Sequence, residues 1–217
     1  MLRVGIVAEG PSDWIVFEEV MKTVHPDVEF EHLQPDQTLL SGFPNGWRGV
    51  KAWCEENGSR LEVLMQGVVG RPLHLLVIHA DCSMANKAGA ERPCPPAHDT
   101  AAALGDVIHN SWLGRNPRPG FVILAIPAQS SDAWVLATLE PPYANLADLE
   151  CDKAAEDDFA RRRLLRRRPD GQIKKNAGRY APLAAQIGPH IESVCQHCPQ
   201  AEVFRSDFRS AVGRALS

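Results

Sequence analysis

Hydrophobic positions along the chain fall into short dense runs separated by longer amphipathic stretches. Val4, Ile6 and Val7 form an apolar run closed by Gly10-Pro11, the pattern of a buried strand that ends in a turn. Ser12 or Asp13 then reads as the cap of a helix whose apolar face is Trp14, Ile15, Phe17, Val20 and Met21. That helix is expected to end near His25-Pro26, because the residue before a proline resists helical angles. Residues 28–33 alternate apolar and polar, which predicts a half-exposed or edge strand. Residues 34–48, with Pro35, Gly42, Pro44, Asn45 and Gly46, read as a loop beyond a strand's carboxyl end, placed either to cover a site or simply to connect.

The same alternation continues. Residues 50–70 are helical in pattern with a break at Asn57-Gly58, and 73–78 is the strongest buried strand of the chain. A Pro/Gly/Ala-rich loop spans 84–98, a helix is expected over 100–113, a fourth apolar strand over 121–126 and a helix over 133–139. Strand and helix in strict alternation predict an α/β fold with a mostly parallel four-stranded sheet and right-handed crossovers. Beyond Glu140 the pattern changes at Pro141-Pro142 to a charged, helical segment with no strand signal. The expected organisation is an α/β domain over 1–140 and a helical, Arg-rich extension over 141–217, packed on it.

Composition adds constraints. The chain has 217 residues and a formal charge of −4, so binding to nucleic acid would rest on a local basic patch rather than on the whole surface. No run of apolar residues is long enough to span a membrane and no export signal opens the chain, which leads to an expectation of a cytoplasmic protein with its six cysteines reduced. Cys195 and Cys198 have metal-type spacing, and Cys82, Cys94 and His98 are the other candidate donors; without a second Cys-x-x-Cys, structural zinc at Cys195/Cys198 is not expected.

The candidate chemistry lies at strand ends. Glu9 follows the first strand, Asp81 the third, and Asp132 opens the helix after the fourth. In a parallel sheet these ends share one edge, where α/β proteins collect ligands. Three carboxylates there suit a hard divalent cation such as Mg²⁺ or Mn²⁺ that polarises a phosphoryl oxygen. His79 reads as a hydrogen-bonded neighbour of the site, and Trp47 as the loop tryptophan within reach of a ligand. Residues 159–168 pack six arginines around Leu164 and Leu165, and Lys174, Lys175, Arg179 and Tyr180 follow. Two readings stay open for that segment: a solvated helix with its leucines facing the core, or a surface contacting phosphates.

Glu9-Gly10-Pro11-Ser12-Asp13 resembles the glutamate motif that opens the TOPRIM fold. His79-Ala80-Asp81-Cys82-Ser83-Met84-Ala85 resembles its Asp-x-Asp motif, and residues 126–137 and 198–204, with Lys174, Lys175 and Tyr180, are similar to segments of small bacterial TOPRIM-like proteins. The resemblance implies a Rossmann-like, magnesium-dependent fold shared by topoisomerases, primases and overcoming-lysogenization-defect nucleases, often found in phage-defence operons. It implies phosphodiester chemistry on DNA or RNA, with Glu9 as general acid/base or metal ligand, Asp81 as principal metal ligand, Asp132 as auxiliary acid, and Ser83 in the second carboxylate position. Arg162, Arg163, Arg166, Arg167, Lys174 and Lys175 are the expected contacts to nucleic acid. Ser83 departs from the motif, and that departure supports an alternative: a catalytically degenerate subunit that acts as partner or sensor in a defence complex, for instance beside an ATPase.

Overall fold

The computed structural model describes residues 1–35, 42–67, 71–140 and 142–217. Its centre is a parallel sheet of β1 (Leu2–Val7), β2 (Val28–Gln34), β3 (Leu75–His79) and β4 (Val122–Ala125), in the order β2-β1-β3-β4. β2 is an edge strand and mostly half-buried, as its alternating pattern predicts. β1 and β3 lie side by side in the middle, and the chain leaves β1 toward β2 on one side before returning to β3 on the other. The carboxyl ends of β1 and β3 therefore flank the topological switch point, where parallel α/β sheets open a crevice.

Strand alternation sends side chains to two separate cores. Leu2, Val4, Ile6, Leu75, Val77, Ile123 and Ala125 face one side, and Val7, Leu76, Ile78, Val122 and Leu124 the other. The second face is covered by α2 (Trp47–Asn57), α3 (Leu61–Met65) and α4 (Ala97–Val107). A 3₁₀ turn over Gly58–Arg60 separates α2 from α3, which is the break expected at Asn57-Gly58. Its backbone is ordinary (the α2 C-cap at Gly58 has φ −54°); the glycine is needed because a Cβ would run into the Leu113 carbonyl. Trp47, expected in a loop, is the first residue of α2 and packs against this core.

The first face is covered by α1 (Pro11–Lys22) and α5 (Asp132–Leu136), and by helices from beyond residue 141: α6 (Asp157–Arg161), α7 (Ala177–Ala184), α8 (Ile191–His197) and α9 (Pro199–Leu216). Phe17 of α1 meets Trp134 of α5 and Phe204 of α9 edge-on, both at 5.5 Å between ring centroids. Buried Glu150 links three segments, accepting from Trp134 Nε1 at 2.8 Å and from the Gln200 amide at 3.0 Å. Burial lifts its carboxyl to about 7, and those hydrogen bonds oppose the shift.

Three expectations are corrected. The arginine run is not one helix: α6 stops at Arg161, and Arg163 takes the left-handed region at φ 59°. The Leu164 amide then bonds the Phe159 carbonyl and the Arg163 amide the Ala160 carbonyl, a Schellman end built without glycine. Strands do occur late in the chain: β5 (Arg166–Arg167) and β6 (Ile173–Lys174) form an antiparallel hairpin. The cysteines are not all reduced either. The loop after the 3₁₀ helix Cys82–Ala88 meets the turn Leu146–Cys151 closely enough, at 5.6 Å between Cα atoms, for Cys94 and Cys151 to form a disulfide, leaving Cys54, Cys82, Cys195 and Cys198 free. No helix among the described residues is long and apolar enough to cross a membrane.

Candidate metal and acid–base centre

The crevice between β1 and β3 is lined by charge. Glu9 lies just past β1, and its Oε1 accepts the Asp81 amide at 2.9 Å, tying the two strand ends together. His79, the last residue of β3, is completely buried, with its ring 4.6 Å from that of Phe17. Its Nε2 sits 3.0 Å from Asp81 Oδ1, and its Nδ1 lies 3.8 Å from Asp13 Oδ2. Asp13 does not cap α1. The cap position is Gly10, Pro11 opens the helix, and Asp13 in the first turn faces the crevice, accepting from Ser131 Oγ at 2.8 Å. Asp13, His79 and Asp81 each offer a donor atom within 4.8 Å of the others, the one such group among the described residues. Glu9 does not belong to it, and Ser83 is exposed.

These groups set one another's protonation. Burial raises Glu9 to about 7, and the neighbouring Asp81 charge adds to the shift. Burial also raises Asp13, against the pull of His79. For His79 burial works downward, but Asp13 and Asp81 outweigh it and lift the ring to about 9. The Glu9 amide lies 3.4 Å from Nδ1, a contact that serves a neutral ring with Nε2–H on Asp81. Protonation turns Nδ1 into a donor aimed at Asp13, the arrangement the carboxylates favour.

A stability profile follows from these directions. Each raised group binds its proton more tightly folded than unfolded, so its contribution is complete below the unfolded value and fades as pH rises through the folded one. The windows are 4.5 to about 7 for Glu9 and 6.5 to about 9 for His79. In chelator, the melting temperature is therefore expected to fall between pH 6 and pH 9.5, and His79→Gln to flatten the alkaline half. A profile that rises over that range, or one unchanged by the substitution, contradicts the assignment.

Asp132 is fully buried beside this group, and its carboxylate is saturated. It accepts from Tyr180 Oη at 2.6 Å and Ser130 Oγ at 2.9 Å, and forms an ion pair with Lys175. Lys175 reaches Glu156 at 3.6 Å as well. Its burial acts downward on the ammonium, but Asp132 and Glu156 hold it firmly protonated. Lys175 shares a cleft of about 290 Å³ with Asp81, Ser83, Ser130 and Glu156. The backbone of the loop after β2 also touches this region: the Gly46 amide donates to the Glu9 carbonyl at 2.7 Å. Residues 36–41 of that loop lie outside the described residues.

The expected phosphate contacts divide. Lys175 is turned inward. Arg162 pairs with Asp158, and Arg167 with Asp157 at 2.7 Å, so both are held by acids of α6. Arg163, Arg166 and Lys174 are exposed. Two of the cysteines weighed as zinc donors are engaged elsewhere: Cys94 is in the disulfide, and buried Cys198 points its thiol at the Ala133 carbonyl. Asp13 is the site residue that sequence reasoning misses, four positions after Glu9 and assigned to capping. Comparisons with family models, curated proteins and solved structures return no match.

Proposed function

We propose that this chain carries out metal-dependent phosphodiester chemistry on nucleic acid, as a nuclease with a TOPRIM-like centre. The observation that carries the reading is the Asp13–His79–Asp81 group at the sheet's switch point, with Glu9 beside it. Two carboxylates and an imidazole fit a divalent cation, and the nitrogen donor favours Mn²⁺ over the all-oxygen preference of Mg²⁺. When bound, such an ion supplies Lewis-acid polarisation of a phosphoryl oxygen. Lys175, fixed by Asp132 and Glu156, lies on the wall of the cleft it shares with Asp81. Glu9, raised to about 7, is divided between its two protonation states at neutral pH and is suited to giving or taking a proton.

Calorimetry with Mn²⁺ and Mg²⁺, alongside cleavage of plasmid DNA and of a mixed RNA pool, tests the proposal. Mn²⁺ is expected to bind more tightly than Mg²⁺, and Asp81→Ala to weaken Mn²⁺ binding by about tenfold or more and to remove cleavage. Equal Mn²⁺ binding by wild type and Asp81→Ala overturns the site. Ser83, which leaves that motif one carboxylate short, favours a second reading: a binding subunit of a defence complex on the same frame. If wild type and Ser83→Asp are both inert on both substrates while Mn²⁺ still binds, that second reading stands.

A further inference from the structure

The late hairpin carries an electrostatic conflict. Arg166 and Lys174 are directly opposed across the two-residue ladder, and like charges in that position destabilise a strand pair. Arg179, in the first turn of α7, joins them around a cleft of about 180 Å³ whose remaining wall is Asn176. Asn176 caps α7, its side chain accepting the Arg179 amide at 3.1 Å, so the cleft opens at a helix amino end where the backbone dipole adds positive potential. No carboxylate pairs with Arg166, Lys174 or Arg179 among the described residues, whereas Arg161, Arg162 and Arg167 of the same run all have aspartate partners. In a chain of net charge −4 three cations held together without an acid are an imbalance that an anion would relieve.

We infer that this cleft is a phosphate-binding site, in which Arg166, Lys174 and Arg179 grip one phosphate group beside the metal and acid–base centre. The strand alternation of β6 links the two places: Lys174 turns out to the cleft while Lys175, next in the chain, turns in to Asp132. That the phosphate belongs to a nucleic-acid strand rests on the nuclease reading; the phosphate chemistry does not. Arginine's fork matches two oxygens of a phosphate, and the lysine adds a point charge, so a strand phosphate and a free or mononucleotide phosphate share the same recognition.

The test uses the full chain in EDTA, which separates it from any metal at Asp81. Anisotropy of a labelled oligothymidylate is followed over a salt series, with inorganic phosphate as competitor. Replacing Arg166, Lys174 and Arg179 together by Gln is expected to weaken binding about tenfold and to lower the slope of log affinity against log salt by about 0.7, the value for one single-strand phosphate no longer neutralised. Arg167→Gln, whose cation is already paired with Asp157, should bind like wild type. Arg179→Gln alone, on an exposed side chain, should give a partial loss and guards against misfolding of the triple variant. Competition by phosphate at low concentration, absent in the triple variant, would assign the cleft to free phosphate; strand binding that phosphate does not displace would assign it to the backbone. Either supports the site. Unchanged affinity in the triple variant, or an equal loss in Arg167→Gln, overturns it, and Mn²⁺ binding by the triple variant shows separately whether the metal group survives.

Discussion

A chain cut after Glu140 is expected to lose cooperative unfolding and to aggregate. The helices beyond that point share the cover of one face of the sheet with α1 and α5, and without them the sides of Phe17 and Trp134 that pack on Phe204 would be bare. Phe204 and Phe208 are almost wholly buried in the same core, and truncating one such ring to alanine costs about 3–5 kcal/mol. Total stabilities are about 5–15 kcal/mol, so the loss of the entire layer exceeds what the remaining packing supplies. Phe204→Ala in the full chain is the graded form of the experiment, read by urea denaturation. A soluble 1–140 fragment with a sharp thermal transition would show that the sheet and its other face suffice.

Asp132→Ala is the second large effect. The substitution deletes the acceptor of the buried Tyr180 hydroxyl and the principal partner of Lys175, leaving a mostly buried ammonium with Glu156 at 3.6 Å and the charge of Asp13. Breaking a buried ion pair from one side costs about 3–5 kcal/mol, because the remaining charge is uncompensated. Asp132→Asn keeps an oxygen for Tyr180 and should be milder. Adding Lys175→Met to Asp132→Ala should recover part of the loss, a non-additivity that marks direct coupling. A loss below about 1 kcal/mol in Asp132→Ala would mean that the carboxylate is solvated and the pocket open.

Much of the fold is legible in the chain. The apolar runs over 4–7, 73–78 and 121–126 are long enough for periodicity to report them, and the acids directly following two of them lead to Glu9 and Asp81. Local rules misassign Asp13, because an aspartate at the head of a helix is usually a cap; here Gly10-Pro11 starts the helix and turns Asp13 toward the crevice. Two-residue strands such as β5 and β6 carry no periodic signal, and the helix stop at Arg163 lacks the glycine that normally marks it. The Cys94–Cys151 pair is 57 residues apart, a distance at which spacing says nothing about which thiols meet.

The hairpin of β5 and β6 makes the reading frame of a short turn matter. Only two cross-strand pairs set its register, so a single residue gained or lost between Arg168 and Gln172 could be absorbed by sliding β6 one step. That slide would exchange the two lysines, turning Lys174 toward Asp132 and throwing Lys175 to the surface, with no change in composition or charge. Insertions in pairs restore the alternation. Lengthening this turn should therefore be tolerated in steps of two and damaging in steps of one, a parity rule written into the pleat of a strand two residues long.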